Sequence, residues 1–137
     1  MASLVRFSVS VDEGLLKKFD KQTQKEGYPT RSKAIADLMR DSLVRQEWKA
    51  GKEVAAAIVM VYDHHKRDLS NQLTHIQHDY HDLIISSQHV HLDHHHCLEI
   101  VVVRGVPKKV QELAKRLKAT KGVKYSSLAA ASTGQGL

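Results

Sequence analysis

The sequence predicts an α+β fold in two parts, on three observations. The first fifty residues give one alternating strand followed by two helices. A break falls at Gly51-Lys52. After it the hydrophobic pattern gives strand, helix, strand, strand, helix, strand. The expected boundaries are therefore 1–50 and 51–137.

In the first part, Val5, Phe7, Val9 and Val11 fall on one face of a strand and Arg6, Ser8 and Ser10 on the other. No second strand follows for about forty residues, so its backbone groups lack a partner in the same chain. The simplest remedy is the same strand of a second chain. Asp12 is placed to cap a helix carrying Leu15, Leu16 and Phe19, which ends at Gly27. Thr30 or Ser32 can cap a second helix with Ile35, Leu38, Met39 and Leu43, running to about Trp48. So short a unit cannot bury a core alone, and a dimer is expected.

In the second part, residues 54–62 form a buried strand and residues 66–81 a helix with Leu69, Leu73, Ile76 and Tyr80 at helical spacing. Strands follow at 83–92 and 97–104, with a polar turn at Asp93–His96. A helix at 107–120 turns Val110, Leu113, Ala114 and Leu117 inward and five basic residues outward, and a last strand covers Val123–Ala130. This order is the ferredoxin-like split unit, the arrangement of regulatory ACT-type domains. Its helices lie on one face of the sheet and leave the other for another subunit.

The stretch His75–Cys97 holds eight of the ten histidines and the only cysteine. His89 and His91 are two apart, so on a strand they share a face. Cys97 follows across the turn, where the hairpin's second strand begins. One thiolate and two imidazoles can therefore meet, which makes three ligands of a transition-metal site. His75, His78 and His81 lie at the C-terminal end of the preceding helix. That end should sit on the order of 20 Å from His89 and His91, at about 3.3 Å per strand residue. A fourth ligand from this helix would thus come from a second chain.

Composition narrows the class. A net charge of +6 with pI near 9.5 favours a polyanionic partner. A single cysteine excludes an intrachain disulfide and suits a reducing compartment. No apolar run reaches the roughly 18 residues of a membrane span, and the N-terminal residues are too polar for a signal peptide. The expectation is a cytoplasmic protein that does not engage a membrane. No H-E-x-x-H or adjacent carboxylate base accompanies the metal donors, and four protein ligands would leave no position for substrate water, so an enzyme is not expected.

Two resemblances extend this reading. Residues 1–50 look like a ribbon-helix-helix domain, in which paired N-terminal strands enter the DNA major groove. That likeness implies base contacts from Arg6, Ser8 and Ser10 and a phosphate near Ser32 at the second helix N-terminus. Nearly the whole chain, from about Arg6 to Leu128, resembles the nickel-responsive transcriptional regulator family, NikR. The motifs that carry the resemblance are R-F-S-V-S-V-D, R-S-K-A-I-A-D-L, H-x-x-x-D-L at 64–69 and Q-H-x-x-x-D-L-I-I-S-S-Q-H-V-H-L-D-x-x-x-C-L-E.

The resemblance implies one Ni(II) per subunit in a square-planar site, held by His89, His91 and Cys97 of one chain and His78 of another. Tyr62 and Glu99 would support these ligands, Glu99 by hydrogen-bonding a ligand imidazole. Lys66 and Arg67, with His64 and His65 beside them, would face DNA phosphates. The implied assembly is a homotetramer, a dimer of dimers, acting as a repressor on double-stranded operator DNA, by the family's pattern at nickel-uptake genes. His94, His95 and His96 read as a solvated turn, with a weak extra metal site as the alternative. Lys33 departs from the family pattern: an acidic residue there can hold a cation together with the aspartate at Asp37, and here a Lys33–Asp37 pair or a weakened cation site is expected instead. The rival functions are a ribbon-helix-helix regulator sensing another metal or a small molecule, and a metal buffer.

Overall fold

The computed structural model describes residues 3–137. The chain divides into two compact units, one reaching to Asp41 and one of Ser42–Leu137.

In the first unit, α1 spans Glu13–Lys25 and α2 begins at Arg31 and runs on to Ala50. The Asp12 carboxylate accepts from the Leu15 N–H at 3.0 Å and caps α1. Gly27, at φ 82°, ends it in the left-handed conformation that costs a glycine least. Of the two candidate caps for α2, Thr30 does the work: its hydroxyl accepts from the Lys33 N–H at 3.1 Å. Arg31 grips Asp20 through two hydrogen bonds of 3.0 and 2.7 Å and ties α2 to α1. The strand expected at residues 5–11 does not form within one chain; residues 3–12 carry no helix or strand. The physical reason lies in the backbone, whose N–H and C=O groups find no ladder partner among the described residues. Val5, Phe7, Val9 and Val11 stand half or more exposed.

The expected Lys33–Asp37 pair is present at 2.5 Å. Asp37 also accepts from the Tyr28 hydroxyl at 3.0 Å and from Arg40 at 3.1 Å. This carboxylate is engaged by three donors, the Lys33 ammonium foremost, and they hold it below its ordinary value of 3.8.

The second unit is a four-stranded antiparallel sheet of β1 (Val54–Asp63), β2 (Ile84–His91), β3 (His96–Gly105) and β4 (Val123–Ala130). Its spatial order is β2-β3-β1-β4, and α3 (Arg67–Asp79) and α4 (Pro107–Ala119) complete the β-α-β-β-α-β sequence. Alternate residues of β1 and β3 are buried: Val54, Ala56, Ile58, Met60 and Tyr62 on one, Cys97, Glu99, Val101 and Val103 on the other. Against them pack Leu69, Leu73 and Ile76 of α3 and Val110, Leu113 and Leu117 of α4. Pro107 opens α4 where its missing N–H is no loss. Gly122, at φ 103°, makes the turn into β4, and a Cβ there would meet Leu69 Cδ2 at 2.9 Å.

Neither α3 nor α4 covers the other face of the sheet. Ala57, Val59, Val61, Leu98, Ile100 and Val102 lie there only partly covered, and Val90 and Tyr125 are exposed.

Two outcomes follow. Ile58→Ala should cost about 2–5 kcal/mol, the range for truncating a fully buried aliphatic side chain, read as a fall in the urea midpoint. The Asp37 carboxyl should titrate below 3.8 in an NMR titration. Its ion pairs therefore stabilise the fold above that pH, and the contribution is lost as pH falls through the lower folded value. Lys33→Ala should move the midpoint up; an unmoved midpoint would remove Lys33 as the cause.

Candidate metal centre

The β2–β3 register sets His91 directly opposite Cys97 and His89 opposite Glu99. The β1–β3 register sets Tyr62 opposite Cys97. Residues paired across an antiparallel ladder share a face. Since Cys97 and Glu99 are buried beneath the helices, His89 and His91 belong to that same side. The fold arranges these residues as a gradient of burial. Cys97 is 1% exposed, whereas His89 and His91, on the edge strand β2, are open to solvent.

Glu99 joins the elements around the site. It is a carboxylate only 2% exposed, and it accepts from the Tyr62 hydroxyl at 2.6 Å and the Gln77 side-chain amide at 2.8 Å. His89 Nε2 lies 3.3 Å from Oε2, the oxygen that also accepts from Gln77. Burial, together with the carboxylate to which it donates, pushes the Tyr62 hydroxyl well above its usual range. Burial also pushes the Cys97 thiol up, with the Tyr62 hydroxyl beside it pulling the other way. A softer thiol and two imidazoles suit a late first-row divalent ion, and an imidazole oriented by a buried carboxylate is what such a ligand needs. The residues present fit a metal of this class.

His78 sits in the last turn of α3, exposed, with its ring 5.8 Å from that of His81. His75 and His81 are likewise exposed. His89, His91, Cys97 and His78 do not gather into one cluster within the chain. Among the described residues, the one group of histidine, cysteine and acidic side chains whose ligand atoms all lie within 4.8 Å of one another is Asp63, His65 and His95. Arg6, Ser8 and Ser10 are exposed in the irregular N-terminal residues, Ser32 is exposed in the first turn of α2, and Lys66 and Arg67 are exposed at the start of α3.

Sequence reasoning missed two partnerships. Gln77 reaches Glu99 because it stands eight residues after Leu69, on the inner side of α3; that spacing was a usable signal. Asp63 meets His95 because the end of β1 pairs with the start of β3, Asp63 opposite His96. Only the sheet order reveals this.

A ferredoxin-like sheet with a buried thiol and imidazoles on its edge defines a metal-binding domain. The chain belongs to the nickel-responsive regulator (NikR) family, whose C-terminal nickel-binding domain matches residues 55–131. That family is one of regulators and not of enzymes. A protein of Chlorobium limicola, provisionally named a nickel-responsive regulator, is 50% identical over 134 residues, covering 98% of this chain and all of its own. A protein of Thermococcus kodakarensis with the same provisional name is 52% identical over 135 residues, covering 98% of each chain. Among solved structures, an uncharacterized protein of Thermotoga maritima superposes with a TM-score of 0.53 at 11% identity, over 58% of this chain and 98% of its own, a likeness of fold alone. No helix among the described residues is long and apolar enough to cross a membrane.

Glu99→Ala should remove the acceptor of two donors, Tyr62 and Gln77. The buried Tyr62 hydroxyl left unpaired costs about 1–3 kcal/mol, so the urea midpoint should fall. Metal affinity should drop by roughly 10–100-fold, as when a group orienting a ligand is lost; a competition assay with a chelating dye reads it. Unchanged affinity would detach Glu99 from the metal centre.

Proposed function

We propose that this chain is a nickel-dependent, DNA-binding transcriptional repressor that acts as a homotetramer, a dimer of dimers, with one Ni(II) per subunit. The observation that carries the reading is the placement of His91 opposite Cys97 and His89 opposite Glu99 at the open edge of the sheet, in a chain that belongs to a nickel-responsive family. His89, His91 and Cys97 supply three donors, and the exposed edge leaves room for His78 of a second chain as the fourth. Tyr62 and Glu99 hold this set in place from beneath.

Residues 1–50 serve as a ribbon-helix-helix DNA-binding domain and residues 51–137 as the ACT-like nickel-binding and tetramerisation domain. The exposed Val5, Phe7, Val9 and Val11 support a ribbon formed with a second chain. In that ribbon Arg6, Ser8 and Ser10 reach bases in the major groove, and Ser32 meets a phosphate. The apolar face of the sheet left uncovered by α3 and α4 supports assembly of the C-terminal units. Lys66 and Arg67, twelve and eleven residues before His78 on the same helical segment, are positioned for backbone phosphates once that helix is fixed by its ligand. Double-stranded operator DNA, a pseudo-palindrome with well-separated half-sites, is the partner, with nickel-uptake genes as the regulated targets and the cytoplasm as the compartment. Binding of nickel favours the DNA-competent arrangement by its differential affinity for that state.

Operator binding on a gel, with and without stoichiometric Ni(II), for the wild type and His78→Ala, tests this. The wild type should gain at least about tenfold in affinity with nickel, a coupling of about 1.4 kcal/mol, and His78→Ala should lose the gain. Equal binding in all four conditions would end the proposed mechanism.

A further inference from the structure

Beside the Cys97 centre, a second set of donors stands together with none of its members. Asp63 ends β1, His65 lies two residues on in the loop before α3, and His95 lies in the turn between β2 and β3. Their ligand atoms all lie within 4.8 Å of one another. Ligands around a tetrahedral ion at about 2.1 Å sit roughly 3.4 Å apart, so a shift on the order of 1 Å, within the reach of side-chain torsions, would close the set on an ion.

The positions are built, not accidental neighbours on a mobile surface. The Asp63 carboxylate accepts from the His65 backbone N–H at 2.9 Å, which fixes the loop relative to the strand end. In the facing turn, Asp93 accepts from the backbone N–H groups of His95 and His96, both at 2.8 Å. The pairing of Asp63 with His96 then sets the two segments side by side. More imidazoles crowd around them. The His65 ring is 4.3 Å from that of His64 and 5.0 Å from that of His94, and the His94 and His95 rings are 4.9 Å apart. The His64 Nδ1 is buried with no hydrogen-bond partner. Clustered imidazoles repel one another when protonated and gain most from a shared cation when neutral.

We propose that Asp63, His65 and His95 form a second site for a divalent transition-metal ion in each chain, independent of Cys97. With two imidazoles, one carboxylate and no thiolate, it takes Ni(II), Zn(II) or Cu(II) more weakly than the thiolate-bearing centre, with water in the remaining positions. An ion held there fastens the loop leading to Lys66 and Arg67 to the β2–β3 turn. The two centres are neighbours, since the His64 ring lies between them, 4.3 Å from that of His65 and 4.6 Å from that of His91. Yet this one needs no donor from another chain, and it stands whether or not the regulator reading holds.

The test is a Ni(II) titration of the full chain by calorimetry, followed in parallel by absorption of the sulfur-to-metal charge-transfer band. The wild type should take up two ions per chain in two classes, only the tighter of which raises the band. His95→Ala should lose the weaker class, or weaken it at least tenfold, and keep the band. Cys97→Ala should lose the band and keep the weaker class, which also separates failure of this proposal from failure of the Cys97 centre. His94→Ala should keep both classes, and urea unfolding confirms that each variant is folded. A single ion per chain in the wild type overturns the proposal. So does a weaker class that survives His95→Ala, or one that disappears with Cys97→Ala or His94→Ala.

Discussion

The buried carboxylate of Glu99 is the constraint on which the C-terminal unit depends. A carboxylate withdrawn from water is costly unless hydrogen bonds replace its hydration. Here the hydrogen bonds come from Tyr62 on β1 and Gln77 on α3, and His89 on β2 lies 3.3 Å away. Satisfying one side chain therefore fixes three strands and a helix relative to one another. The alternative registers are strongly penalised. A one-residue slip of β3 would turn Glu99 and Cys97 to the opposite face and bring Leu98 and Ile100 under the helices. The residue that orients His89 thus also guarantees that Cys97 faces the same way.

Much of this was legible from residue spacing, and what was not legible has identifiable causes. Alternation in β1 and β3, the helical periods of α3 and α4 and the turn at Asp93 gave the β-α-β-β-α-β order, because each is a local pattern imposed by a two-sided or one-sided core. The two-residue spacing of His89 and His91 gave their common face. The Lys33–Asp37 pair followed from a four-residue helical offset. The strand at residues 5–11 was legible as a pattern but absent as an element, since a strand needs a second stretch of backbone to pair with and these residues find none among the described residues. Ser32 competed with Thr30 for the cap because both residue types serve; only the 3.1 Å bond from Lys33 decides it. Asp63 and His95, thirty-two residues apart, carry no local signal of their proximity. Sheet order alone brings them together.

The single chain is unfinished in two ways that belong to the same geometry. One face of the sheet, from Ala57 through Val59 and Val61 to Leu98, Ile100 and Val102, is covered by neither α3 nor α4, although β1 and β3 alternate so regularly that their inner face is sealed. The edge strand β2 is exposed along nearly its whole length and carries the two imidazoles outward of a buried thiol. An edge strand ordinarily invites addition of another strand. Here its side chains offer directional donors that a further strand could not satisfy and a side chain from a neighbouring helix could. The bare face provides non-directional adhesion, proportional to the apolar area removed from water. The imidazole edge adds the orientation that such adhesion lacks. An assembly built on both would tie the packing of subunits to the occupancy of the metal centre, because the face alone specifies contact and the edge alone specifies geometry. On the proposed reading, that division would account for a thiol sealed beneath the helices and imidazoles at the rim. The thiol needs no partner from outside, and the imidazoles would share one ion with it.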